Sequence, residues 1–162
     1  MNYEHFARLE EGTLCQGETE SDQAFMERVI APVFSEDVPE VSDRINALLH
    51  PVFAGCDAQR KEISATFRAE DWMLNPNGTL HGGMLATSID VVMSVLARFL
   101  ARKRITVTVQ LSTNFLRVIR QGEKYTVHVT ADHAGRRSIV THAVVYAEGS
   151  EKPAATATGV LM

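Results

Sequence analysis

Apolar and polar residues alternate along RITVTVQLSTNFL, residues 104–116, with Ile105, Val107, Val109, Leu111 and Phe115 on one side and Thr106, Thr108, Gln110, Ser112 and Asn114 on the other. A period of two marks a half-buried strand. KYTVHVTADH repeats it after a Gln121-Gly122 turn, RRSIVTHAVVYAE follows Ala134-Gly135, and PAATATGVLM ends the chain. Residues 60–68 form an earlier candidate. Four successive strands at short spacing predict an antiparallel meander.

Ahead of these strands, residues 82–101 read as one long helix that is apolar on nearly every side. Such a helix has to be surrounded, and a curved antiparallel sheet is the partner this chain offers. The expected fold is therefore α+β, with a sheet wrapped around one central helix. In the first third, Pro32, Pro39 and Pro51 delimit two segments with helical apolar spacing. SDQAFMERVI carries an N-cap candidate in Ser21 and a stripe of Phe25, Met26, Val29 and Ile30. VPEVSDRINALLH places Val41, Ile45, Leu48 and Leu49 on one face. The expected organisation is an N-terminal helical extension over residues 1–52 and a sheet-and-helix domain over residues 53–162.

Composition narrows the function classes. At 162 residues, with 45% hydrophobic and 22% charged, the chain is the size and character of one globular domain. A formal charge of −4 argues against a nucleic-acid partner. MNYEHFARLEEG is acidic where an export leader begins basic, so a cytoplasmic location is expected. The most apolar run, 84–97, is interrupted by Asp90, closed by Arg98 and shorter than the roughly 20 residues of a membrane span. Cys15 and Cys56 match neither CxxC nor zinc spacing and read as reduced thiols. HExxH, GxSxG, GxGxxG and Walker patterns are absent, which removes the metal hydrolase, serine hydrolase and dinucleotide readings; no metal is expected.

The candidate chemistry lies in TLHGGMLATSIDVVM, residues 79–93. The first turn of a helix presents unsatisfied N–H groups at the positive end of the dipole, and glycine lets a ligand oxygen come close. Gly82 and Gly83 thus suit an oxyanion site, or equally a close helix–strand packing contact. Asp90, set among Ile89, Val91, Val92 and Met93, needs partners for its charge. It reads either as a functional carboxylate or as a structural one bonded to Thr87, Ser88 or a neighbouring strand. The two features stand seven or eight residues apart, roughly 11–12 Å along a helix. One reacting atom cannot touch both in one chain, so if both are catalytic the site is composite and the protein a homodimer.

NPNGTLHGGMLATSID resembles the signature of hotdog-fold thioesterases of the phenylacetic-acid-degradation type, and the likeness continues through TVQLSTNFLR, the GRR turn at 135–137 and ATATGVLM. It covers residues 53–162. The resemblance implies a hotdog fold of five or six strands, dimers formed by edge-to-edge strand pairing, often two dimers back to back, and sites at the dimer interface. It implies acyl-coenzyme A thioesters as substrates and no separate cofactor, since coenzyme A is part of the substrate.

Position by position, Asn75 falls on the family's asparagine ahead of HGG, Gly82 on the glycine whose N–H polarises the thioester carbonyl, and Asp90 on the catalytic carboxylate. Thr108 stands where some members have a serine that helps hold the attacking water. His81 is the motif's histidine, with a part in binding or orientation, and Gly83 adjoins the carbonyl site. Arg117, Arg136 and Arg137, with Arg120, suit coenzyme A phosphates, although arginines at turns are also simply solvated. Arg102, Lys103 and Arg104 suit the end of the helix dipole. Trp72, Met73 and Leu74 suit an acyl pocket or the core. The FLRV of 115–118 lacks the family's usual proline after FLR. Two other functions fit the same fold: a non-catalytic acyl-coenzyme A binding protein, and an enoyl thioester hydratase or dehydratase, for which NPN and HGG lack the expected aspartate.

Overall fold

The computed structural model describes residues 15–34, 45–102 and 105–162. Helix α1 (Asp22–Ile30) runs into a 3-10 turn (Ala31–Phe34), and α2 (Ile45–Leu48) precedes strands β1 (Val52–Asp57) and β2 (Glu62–Arg68). The long α3 (Gly82–Ala101) follows, and then β3 (Thr108–Phe115), β4 (Lys124–Ala134), β5 (Ile139–Ala147) and β6 (Ala155–Leu161). The six strands make one antiparallel sheet in the order β1-β2-β4-β5-β6-β3, and α3 lies in its concave side. This is the hotdog fold, preceded by N-terminal helices.

The core forms where α3 meets the sheet. Ile89, Val92, Met93 and Leu96 of the helix are fully buried with Ile63, Phe67, Val127, Val129, Val145 and Leu161 of the strands. Helix and sheet approach closely over Gly159, where a Cβ would lie 2.6 Å from Met93 Sδ and 3.2 Å from Thr141 Oγ1. Ser88 and Tyr125, both fully buried, join α3 to β4 through a 2.8 Å hydroxyl pair, and Ser88 also donates to the Met84 carbonyl at 3.0 Å. Burial pushes the Tyr125 phenol up to about 12 from its usual 10.

Helix α1 follows its sequence signals. The Ser21 hydroxyl accepts from the Ala24 N–H at 3.2 Å, and Phe25, Met26, Val29 and Ile30 are buried. Phe25 packs on Phe99 of α3, ring centroids 5.4 Å apart. The Gln23 amide donates to the Cys56 carbonyl and accepts from the Ala58 N–H, each at 2.9 Å. A carbonyl and the N–H two residues on, taken by one amide, is the pattern in which a parallel strand would pair. The outer end of β1 is thereby occupied from within the chain.

Three expectations change. First, β4, β5 and β6 form the expected meander, but β3 lies beside β6 rather than β4. The crossover 116–123 is tied to other elements: Leu116 and Arg117 donate to the Ala154 carbonyl, Ile119 accepts from Leu80, and Gly122 donates to Ala69. This path carries the chain across to pair β4 with β2. Second, a bulge between Thr108 and Gln110 reverses the alternation within β3. Leu111, Thr113 and Phe115 pair with buried Ala155, Ala157 and Gly159 in the concave half of the sheet and share that side with Thr108, whereas Val107 and Val109 are 59% and 53% exposed. Third, α3 is not apolar all round. Thr87, Asp90, Ser94 and Arg98, spaced by three or four residues, form a partly exposed stripe. Its 20 residues are long and apolar enough to cross a membrane by composition, but its apolar faces are taken by the sheet. Of the second helical segment, Ile45–Leu48 is helical, and Val41 lies outside the described residues. Lys103 and Arg104 also lie outside them; Cys15 and Cys56 are not joined in a disulfide.

Two stability measurements test this packing. Gly159→Ala forces Met93 and Thr141 apart and is expected to cost about 1–3 kcal/mol in denaturant unfolding. Tyr125 in the folded chain keeps its proton to about pH 12, while an unfolded tyrosine loses it near 10. Its contribution is complete below pH 10 and declines as pH rises from 10 to 12, by about 2–3 kcal/mol in all. Tyr125→Phe is expected to cost about 1 kcal/mol at pH 7 and to flatten that alkaline decline; an equally steep decline in the variant contradicts the burial argument.

Candidate active site

The head of α3 is positioned by the loop before it. Asn75 donates its N–H to the Thr79 carbonyl at 2.8 Å and accepts from Gly78 at 3.0 Å, with Gly78 at φ 71. The Asn75 side chain completes the turn: Oδ1 accepts from the N–H groups of Asn77 and Thr79 at 2.9 and 3.3 Å, and Nδ2 donates to Thr79 Oγ1 at 2.9 Å. His81 donates its N–H to the Met73 carbonyl at 2.9 Å, which delivers it to the N-cap position. Met73 is fully buried, Leu74 partly buried, and Trp72 exposed.

His81 caps the helix through its ring. Its Nδ1 accepts from the Gly83 N–H at 2.9 Å, so that nitrogen carries no proton and the neutral ring bears its hydrogen on Nε2. Gly83 permits this, since a Cβ there would sit 3.1 Å from the same nitrogen. With the Gly83 amide consumed, Gly82 remains: among the described residues no acceptor takes its N–H. The packing alternative also holds in part, because a Cβ on Gly82 would lie 3.2 Å from the Phe115 ring. The glycine both seats that ring and offers a bare amide at the positive end of a 20-residue helix.

Asp90 lies two turns further on, on the partly exposed stripe of α3. Neither helix hydroxyl considered from the sequence holds it: Thr87 donates to the Gly83 carbonyl at 2.8 Å, and Ser88 is engaged with Met84 and Tyr125. Its partner is the strand, where Thr108 Oγ1 donates to Asp90 Oδ1 at 2.7 Å. Two residues singled out separately in the sequence therefore meet, and the second carboxylate oxygen has no partner among the described residues.

The strand thus touches both features at its two ends, Thr108 on Asp90 and Phe115 on Gly82. The arginines divide likewise. Arg117, bonded to the Pro153 carbonyl, follows the Phe115 end beside a shallow depression also lined by Arg120 and Lys152. Arg136 and Arg137 are exposed in the β4–β5 hairpin, at the end of the sheet where Ile139 pairs with Leu161 and Leu161 with Thr108. Seven residues of strand, roughly 23 Å, separate the two ends. Within one chain the arginines do not converge. Among the described residues no cluster of His, Cys, Asp or Glu could hold a metal.

Sequence reasoning assigned Phe115 to the strand's buried face and missed its place over Gly82. The available signal was its position directly before the Leu-Arg of the motif, but the bulge that turns it toward the helix head is not written in the alternation.

Comparison with known proteins identifies the family. Residues 77–154 match the family model of the thioesterase superfamily. A candidate esterase of Pseudomonas aeruginosa is 35% identical over 114 residues, covering 70% of this chain and 83% of its own. A candidate thioesterase of Ralstonia eutropha, related to phenylacetic acid degradation, superposes with a TM-score of 0.67 at 28% identity, over 77% of this chain and 90% of its own. A Streptococcus mutans protein solved with bound acetyl-coenzyme A shares the fold at 22% identity, with a TM-score of 0.62 over 69% of this chain and 86% of its own. The chain belongs to the thioesterase superfamily and is a hotdog-fold thioester hydrolase of the phenylacetic-acid-degradation type.

Proposed function

We propose that the protein hydrolyses acyl-coenzyme A thioesters to the free acid and coenzyme A, at a site completed by pairing of β3 with its copy in a homodimer. The observation that carries this is the strand itself. It is an open edge of the sheet, it exposes Val107 and Val109, and its two ends rest on Asp90 and Gly82. Antiparallel pairing about a two-fold axis sets the Thr108 end of one copy opposite the Phe115 end of the other. Asp90 of one chain then faces Gly82 of the second, which removes the separation of roughly 12 Å along the helix. The same pairing brings Arg117 of one copy toward the end bearing Arg136 and Arg137 of the other, a cationic rim suited to the phosphates of coenzyme A. The acetyl-coenzyme A bound to the Streptococcus mutans protein supports that ligand class.

In the reaction the thioester carbonyl oxygen accepts from the Gly82 N–H, which stabilises the charge that develops as the tetrahedral intermediate forms. Asp90 of the second copy takes a proton from water through its unpartnered oxygen as the water adds to the carbonyl carbon. Collapse of the intermediate expels the coenzyme A thiolate, which takes up the proton. Thr108 gives its one hydroxyl hydrogen to Asp90 and so fixes the carboxylate, while its lone pairs remain to accept from the water. Asn75 and His81 position the amide, the first by folding the loop and the second by capping the helix. Attack by the Asp90 carboxylate itself, through an anhydride that water then cleaves, uses the same geometry.

Thiol release from short, long and aryl acyl-coenzyme A thioesters tests the assignment. Asp90→Asn is expected to lower kcat by about 10²–10⁴ with folding intact; a native protein that binds the panel but releases no thiol overturns the reading. Thr108→Val is expected to lower kcat about tenfold with little change in KM, and Thr108→Ser to retain most activity, as loss of one charge-assisted hydrogen bond requires.

A further inference from the structure

Phe115 stands where the concave side of the sheet runs out of cover. It pairs across the strands with Ala155, which is fully buried, yet Phe115 itself is 54% exposed. Its ring rests on the helix head so closely that a Cβ on Gly82 would lie 3.2 to 3.5 Å from three ring atoms. Ring and helix head are in close contact, so a group that accepts from the Gly82 N–H lies beside the ring.

We infer that Phe115 determines which acyl groups the site accepts, as a wall beside the carbonyl carbon that admits an unbranched neighbouring carbon and excludes a branched one. The inference rests on the reading that the Gly82 N–H receives the thioester oxygen. An oxygen within hydrogen-bonding distance of that amide holds its carbonyl carbon about one bond further out, so the first acyl carbon lies within van der Waals reach of a ring seated on the same glycine. A strand-borne aromatic ring has few rotamers, this one is in contact with the helix head on its inner side, and in the proposed dimer the partner's β3 lies along its outer side. A methyl branch directed at it is not absorbed by small shifts. Discrimination by one methyl group in an apolar site is typically about 10–200-fold.

Butyryl- and isobutyryl-coenzyme A have the same composition and differ only in branching next to the carbonyl. Their kcat/KM ratio also cancels changes in active fraction, dimer content or stability that a substitution causes. The native protein is expected to favour butyryl by about tenfold or more, Phe115→Ala to bring the ratio close to one, and Phe115→Leu to fall between. A native ratio near one, or a ratio that stays within about twofold of native in both variants, overturns the role of Phe115 and leaves the thioesterase reading standing. Absence of thiol release from any member of the wider panel removes both.

Discussion

The fold depends on enclosing one apolar helix with a single sheet. A sheet that wraps a helix without closing into a barrel keeps two edges, and every edge presents unpaired N–H and C=O groups. The two edges here are treated differently. At the end of β1 the side chain of Gln23 occupies the Cys56 carbonyl and the Ala58 amide, and Phe25 anchors α1 on α3 through Phe99. At β3 no such cover exists among the described residues, and apolar side chains stand exposed. Among the described residues, the edge at β1 is thus partly occupied from within the chain while the edge at β3 is left open, which is the asymmetry the proposed dimer uses.

The same edge carries the site, and this follows from α3 as much as from β3. A helix advances about 1.5 Å per residue and a strand about 3.3 Å. A strand that touches a helix at two points therefore meets them at an angle, and it shares the two contacts between opposite ends of the sheet. Asp90 and Gly82 are held apart by the rigidity of the helix, and within one chain they do not meet. Each half of the proposed composite site is already formed inside one chain, by hydrogen bonds of 2.7 and 2.9 Å at Thr108 and His81.

Much of this was legible in the order of residues. The bounds of α3, the N-cap at Ser21, the turn at Gly135 and the positions of β4, β5 and β6 follow from periodicity and turn chemistry, which are local. The place of β3 was not, because strand neighbours are decided by where a crossover is tied. Here the anchors of residues 116–123 are the carbonyls of Ala154 and Ala69 and the N–H of Leu80, all distant in sequence. Nor was the reversal within β3, since a one-residue bulge leaves the alternating pattern unchanged while turning every later side chain over. The polar stripe of α3 was present in Thr87, Asp90, Ser94 and Arg98 but was outweighed by the apolar residues between them.

The two polar residues at the middle of α3 illustrate how position alone separates structure from chemistry. Ser88 and Asp90 are two residues apart, hence roughly 200° around the helix. Ser88 faces the sheet, fully buried, with both hydrogen-bonding partners inside the chain, and its contribution ends with stability. Asp90 faces the partly exposed stripe, where one oxygen is fixed by Thr108 and the other has no partner among the described residues. A carboxylate turned toward the core would need full compensation to remain charged. Held at the rim by a single strand hydroxyl, it stays oriented with one oxygen unpartnered among the described residues, which is the condition the proposed general base requires.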